Sequence, residues 1–205
     1  MKGKFITFEG SEGSGKSTQA QLIYDYLKKR NIPALHIREP GGVKISESIR
    51  NILLDIHNTQ MANECEVLLY MAARSQLVEE KILPALKDGK VVLCDRFLDS
   101  TIVYQGYGNG VAIEEIKAIG LFATQGIVPD LTFIFDIDTK EGLSRTGKVK
   151  DRIELRSLDY HNRVRQGYLQ LAKEDPDRIK IIKVDNTKEE IYQVVRKYID
   201  GLLGL

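Results

Sequence analysis

The chain has 205 residues, enough to bury a substantial core as a single domain. Lys plus Arg total 30 against 29 Asp plus Glu, so no whole-chain charge favours nucleic acid or a membrane surface. No apolar run approaches the ~20 residues of a bilayer span, and two cysteines cannot build a disulfide framework. Cys65 and Cys94 are expected to be small buried hydrophobes, since free Cys is commonly buried. The first residues lead into a strand pattern and not a signal-peptide core, which points to the cytoplasm.

Short apolar, β-branched runs recur at long intervals, at 4–9, 34–38, 91–95, 131–136 and 179–184. Their near-continuous apolar character suits strands covered on both faces, as in a parallel sheet. Helical spacing fills the gaps. Ala20, Ile23, Tyr24 and Leu27 share one face, as do Ile45, Ile49, Ile52 and Leu53. The longest helical stretch is 61–86, where Pro84 should bend or end it. Ile113, Ile116 and Ile119 mark another helix, residues 155–172 a further one, and 188–199 the last, with Thr187 as N-cap. Residues 140–156 have few large apolar side chains and carry Lys140, Arg145, Lys148, Lys150, Arg152 and Arg156. They read as a mobile basic flap within one domain. Strand–helix alternation predicts an open α/β sheet with helices on both faces, its ligands beyond the carboxyl ends of the strands.

Gly10, Ser11, Glu12, Gly13, Ser14, Gly15, Lys16 and Ser17 match G-x-x-x-x-G-K-[ST], after a predicted strand and before a predicted helix. The glycines allow positive φ and bring backbone N–H groups against phosphate oxygens. The helix start adds unpaired N–H groups and its positive dipole end. Lys16 can reach the β- and γ-phosphates, and Ser17 can ligate Mg²⁺. The loop therefore predicts a nucleoside triphosphate ligand. No Asn-Lys-x-Asp guanine motif is present, and no basic face suits a nucleic-acid motor. Arg38, Arg50, Arg74 and Arg96 follow strand ends or sit on helices able to face one cleft, where they would bind a phosphate-bearing acceptor. Taken alone, Arg50 reads as a solvated charge and Tyr70 as core packing.

The chain resembles the thymidylate kinases. The resemblance is carried by Phe8-Glu9-Gly10 through Ser17-Thr18, Arg38-Glu39-Pro40-Gly41-Gly42, Ala72-Ala73-Arg74, Asp95-Arg96-Phe97, Asp99-Ser100-Thr101, Tyr104-Gln105-Gly106, Pro129-Asp130-Leu131 and Asp151-Arg152-Ile153-Glu154. It implies a three-layer P-loop fold with a five-stranded parallel sheet and a short basic lid over about 140–156. It also implies transfer of the ATP γ-phosphate to dTMP, with Mg²⁺. Another nucleoside monophosphate kinase, or a nucleotide-binding module without turnover, remains the alternative.

By that resemblance residues Gly10 to Thr18 hold ATP, and Ser17 and Asp95 hold the metal. Arg38, Arg50 and Arg96 surround the acceptor phosphate, and Glu39-Pro40 carries a cis peptide that aims its neighbours into the cleft. Tyr70 stacks on thymine, Arg74 meets its carbonyl, and Ser100, Thr101 and Gln105 lie near the base. Tyr104 crowds the sugar 2′ position and Glu12 turns to the 3′-hydroxyl. The loop holds no Arg, so the transition-state cation is expected from the lid, Arg145 or Arg152 with Lys148 and Lys150 in support. Lys16, Asp95 and Arg96 complete the catalytic set. Phe97 and Tyr70 depart from the Tyr or His and the Phe usual at those positions. The resemblance further implies a homodimer through the helix at 61–80.

Overall fold

The structure, a computed structural model, describes residues 3–147 and 150–205. Lys148 lies outside the described residues. Five parallel strands form one sheet: β1 (Lys4–Gly10), β2 (Ala34–Arg38), β3 (Val91–Asp95), β4 (Leu131–Asp136) and β5 (Ile179–Lys183), in the order β2-β3-β1-β4-β5. This is the α/β architecture expected from the alternating pattern.

Alternation along each strand divides the core. Ile6 and Phe8 of β1, with Leu93 and Phe133, pack under α1 (Lys16–Lys29) and α9 (Lys188–Leu203). Phe5, Val92 and Cys94 face the other side, against Leu77, Val78 and Ile82. A third cluster joins Met71, Val103, Val164 and Tyr168 beneath α6 (Ile113–Ala123) and α8 (Leu158–Glu174). Each fully buried Phe or Leu contributes roughly 1.5–3 kcal/mol of transfer free energy. Truncating Phe8 or Phe133 would also leave a cavity. Thr187 caps α9 by accepting from Glu190 N while Glu190 returns the bond, a complete capping box.

Pro84 does not end the long helix. α3 (Asn63–Leu77) passes through a π-helical turn at Val78–Ile82 into α4 (Leu83–Lys87). Widening the turn just ahead of proline relieves the clash of its ring with the preceding turn. A second π-helical turn, Ile102–Gly108, continues α5 (Leu98–Thr101) and carries Tyr104 and Gln105. Cys94 is buried as expected, but Cys65 is exposed. It stands on the outward face of α3, where Glu66 and Val67 take the buried side.

The basic flap is partly ordered by its own sequence. Asp138 accepts from Lys140 N and Glu141 N to start α7 (Thr139–Ser144). Asp151 accepts from Ile153 N and Glu154 N to close a turn at the far end. Helix α8 begins at Leu158 and not at Leu155, because the Ser157 hydroxyl accepts from Tyr160 N and fixes its start.

Register places the strand ends in a row. Phe8 and Arg38 both lie opposite Asp95, Arg96 N donates to Phe8 O and Glu39 N to Asp95 O. The residues after β1, β2 and β3 therefore open together at the carboxyl edge of the sheet.

Candidate active site

The loop after β1 turns through glycines with positive φ into α1, with Gly15 as N-cap at φ +82°. At Gly13 a Cβ would lie 2.0 Å from Gly142 O, so only glycine allows α7 to rest on the loop. Lys16 is buried, with a single long bond of 3.4 Å from Nζ to Ser11 O. Burial and the nearby Arg96 push its pKa down, against Asp95, Glu12 and Glu9. An anion seated in the loop would reverse that burden.

Ser17 Oγ donates to Asp95 Oδ2 across the first turn of α1. A hydroxyl and a carboxylate converging beside a phosphate loop form a hard-oxygen pair suited to Mg²⁺, which keeps waters and phosphate oxygens as its other ligands. Among the described residues no cluster of three or more Asp, Glu, His or Cys could hold a metal.

Arg96 takes φ +70°, uncommon for a residue with a side chain, and of order 1 kcal/mol in cost. The turn sends its guanidinium back under the loop, to Glu12 Oε1 at 3.0 Å, Ser100 Oγ at 3.1 Å and Tyr168 Oη at 3.2 Å. It also lies over the Tyr104 ring. Tyr104 Oη donates to the same Glu12 Oε1 at 2.6 Å. Burial pushes the Glu12 carboxyl up, but His161, Arg96, Lys16 and Tyr104 overcome it and hold the group well below the usual carboxylate range. Glu12 is thus a fixed acceptor in a loop built for anions, with Oε2 buried 3.5 Å from His161 Nδ1.

A cavity of about 330 Å³ opens in front of these groups. Lys16, Ser17, Glu12, Asp95 and Arg96 form one end. Arg38, Arg50, Glu39, Pro40, Tyr70, Arg74, Ser100, Thr101, Tyr104 and Gln105 form the rest, joined by Leu54, Asp151, Ile153 and Glu154. The Glu39–Pro40 peptide is cis. Arg38 and Arg50 both donate to Pro40 O, at 2.9 and 3.0 Å, so two guanidinium groups point at one spot. Glu47 holds Arg38 at 3.0 Å. Arg74 is fully buried and donates to Glu39 Oε2 at 2.7 Å, Phe97 O at 2.9 Å and Thr101 Oγ1 at 3.0 Å, and lies over the Phe97 ring. The aromatic departure at 97 is therefore a platform under Arg74. Ser100 donates to Glu9 Oε2 at 2.5 Å, so its hydroxyl is engaged inward. Tyr70 is half-buried on the wall, and burial, then Glu66, push its phenol pKa up.

The two lid arginines part company. Arg145 is exposed at the end of α7, beside Gly13, with Nη2 2.5 Å from Glu141. Arg152 does not line the cavity. It is buried, donates from Nε to Leu53 O at 2.8 Å, and pairs through Nη2 with Glu66 at 2.6 Å. A side chain so fixed is a strut between the lid's end and α2 (Lys44–Leu54) and α3. Sequence reasoning also missed Glu9, Glu66 and His161. Glu9 had a signal in its place before the loop; the other two lie on helices whose pattern marks only a buried face. A second hollow lies on the lid side of the loop, lined by Asp136, Asp138, Glu141, Arg145, Arg165, Asp185 and Asn186 at the ends of β4 and β5.

The chain is similar to known proteins over nearly its whole length. The family model described as Thymidylate kinase matches residues 8–195. A thymidylate kinase of Thermoanaerobacter sp. (strain X514) is 48% identical over 97% of this chain and 100% of its own length. One from Clostridium novyi (strain NT) is 45% identical over 97% and 98%. The crystal structure of thymidylate kinase from Ehrlichia chaffeensis superposes with a TM-score of 0.80 at 34% identity, covering 97% of this chain and 99% of that one. The chain belongs to the thymidylate kinase family.

Proposed function

We propose that the chain is one catalytic unit, with residues 140–156 as its lid, that transfers the γ-phosphate of ATP to dTMP. The observation that carries this reading is the meeting of Lys16, Asp95 and Arg96 with Arg38, Arg50 and Arg74 around one cavity. The acceptor phosphate is already an anionic nucleophile, so no strong general base is needed. Catalysis rests on alignment and charge neutralisation. Loop N–H groups and Lys16 hold the donor phosphates. Arg38, Arg50 and Arg96 take the acceptor phosphate, and Arg96 bridges the two through its place under the loop. Ser17 and Asp95 would hold Mg²⁺, which when bound neutralises and aligns the donor phosphate oxygens.

Tyr70 offers a face to the thymine ring. Arg74 has spent Nε and Nη2 on the protein, leaving Nη1, near Met71 Sδ, as the edge nearest to free for a ring carbonyl. Glu12 faces the sugar 3′-hydroxyl and Tyr104 the 2′ position. The second hollow, on the other side of the loop, takes the base of ATP. Arg145, beside Gly13, is the lid cation for the transferring phosphoryl group. Two unpaired cysteines, one exposed, suit a reducing cytoplasm, and no described helix is long and apolar enough to cross a membrane. The exposed face of α3 is proposed as a homodimer contact.

Purified protein with Mg-ATP should convert dTMP to dTDP, followed by chromatography, with lower turnover of dUMP, CMP and AMP. Lys16→Ala should lower kcat by roughly a hundredfold or more. Preference for AMP would reject the assignments of Tyr70 and Arg74. ATP binding without transfer to any monophosphate would instead favour a non-catalytic nucleotide-binding module.

A further inference from the structure

Glu66 sits on the inward face of α3, fully buried and outside the cavity wall. Its Oε1 accepts from Gln105 Nε2 at 2.7 Å and from Asn109 Nδ2 at 3.1 Å. Its Oε2 lies 2.6 Å from Arg152 Nη2 and 3.6 Å from Arg156 Nη2. A carboxylate in an ion pair offers acceptors only. Only the nitrogen end of an amide can face it, because two acceptors set against each other repel. The orientation of the Gln105 amide is therefore decided behind the cavity and not within it. One of its two N–H groups donates to Glu66. Gln105 lines the cavity, and its carbonyl oxygen is the end left to face a ligand. Among the described residues no donor reaches that oxygen.

One helical turn earlier, Thr101 accepts from Arg74, a group that can only donate. The base-facing wall thus presents an acceptor from Gln105 and a donor from Arg74. Thymine and uracil present the complement, an N–H at ring position 3 and a carbonyl at position 4. Cytosine presents a bare nitrogen and an amino group, and mismatches both. We propose that Glu66, which touches no ligand, is a specificity-determining residue: by locking the Gln105 amide it selects pyrimidines with an N–H at position 3 over cytosine. This rests on the reading of the cavity as the acceptor-nucleotide site. A site whose buried polar groups are left unpaired by the wrong ligand discriminates strongly.

Two substrate pairs isolate the effect. dUMP and dCMP differ only at positions 3 and 4 of the ring, whereas dTMP and dUMP differ only in a methyl group. Glu66→Gln lets either end of the residue 66 amide face Gln105, so Gln105 can turn over. The kcat/KM ratio of dUMP to dCMP should fall about tenfold, the consequence of losing one polar mismatch, while the dTMP to dUMP ratio stays within about twofold. The double variant Glu66→Gln/Arg152→Gln removes the cation that the single variant leaves unpaired, and should show the same shift. An unchanged dUMP to dCMP ratio in either folded variant, or an equal loss on all three nucleotides, overturns the lock. A wild type that phosphorylates none of the three nucleotides fails the kinase reading itself, and is told apart on that ground.

Discussion

Glu9 has a carboxyl group at the end of β1 with every oxygen engaged. Oε1 accepts from Phe97 N at 2.7 Å, and Oε2 from Ser100 Oγ at 2.5 Å and Tyr168 Oη at 2.9 Å. One residue thereby holds the turn after β3, α5 and α8 in place beneath the phosphate loop. Burial and the neighbouring Asp99 push its pKa up to about 7, although Arg96, Ser100 and Tyr168 oppose the rise. A carboxyl whose pKa rises on folding favours the native state in acid, because the native chain keeps a proton that the unfolded chain has released. That contribution is complete below pH 4.5 and is lost as pH rises through about 7. At about 1.4 kcal/mol per unit it amounts to roughly 3 kcal/mol at most. Glu9→Gln cannot titrate, so wild-type protein should lose stability relative to the variant between pH 4.5 and 7. Urea unfolding of both proteins across that window measures the difference, and parallel curves would mean that Glu9 is not raised.

Among the elements, the segment proposed as the lid is held at both ends by different means. At its start, Gly142 of α7 packs against the phosphate loop, where an added Cβ would lie 2.5 Å from Glu12 O. At its end, Arg152 reaches Leu53 O and Glu66, and its backbone N donates to Leu54 O. Arg145→Ala should therefore lower kcat by roughly tenfold or more with little change in dTMP affinity, the pattern of a group acting in the transition state. Arg152→Ala should cost about 3–5 kcal/mol of stability by stranding Glu66, and should weaken dTMP binding along with kcat. Steady-state kinetics, direct dTMP titration and urea unfolding read out both variants. A selective kcat loss in Arg152→Ala without lost stability would return the transition-state role to Arg152. This contrast marks how far the sequence could be read. Strands and helices were legible because apolar spacing records which face is covered, and the loop because its backbone geometry demands particular residues. Lys16, Arg38, Asp95 and Arg96, all in family-matching segments, line one cavity because those segments end or follow strands that the sheet brings level. The π-helical turns were not legible, since no spacing of apolar residues distinguishes a widened turn from an ordinary one. Nor was the partnership of Arg152 with Glu66, because nothing in either residue's local pattern specifies a contact so distant in sequence.

For the whole molecule, the unfinished surface lies on α3 and α6, which pack side by side. α3 exposes Cys65 and Ala72, and Leu68 is 55% exposed. At the end of α6, Leu121 and Phe122 are 63% and 85% exposed. Single exposed apolar residues are common, but several on two helices that pack side by side suit a protein contact. A second copy of the chain is the occupant proposed for it, related by a two-fold axis that lets one patch meet itself. Light scattering should give a particle of twice the 23.2 kDa chain mass. Phe122→Glu or Leu68→Glu should shift it to the single-chain mass, because burying a carboxylate in an apolar contact without a partner is costly. The consequence for function follows from α3 having two faces. Leu68 looks outward, while Tyr70 and Arg74 on the same helix line the half of the cavity proposed for the base and Glu66 lies behind it. Releasing the outward face should loosen that wall and raise the KM for dTMP, while the KM for ATP, whose loop lies on β1 and α1, stays nearly constant. Equal changes in both constants, or a wild-type protein that scatters as a single chain at micromolar concentration, would count against the dimer as the support of the acceptor site.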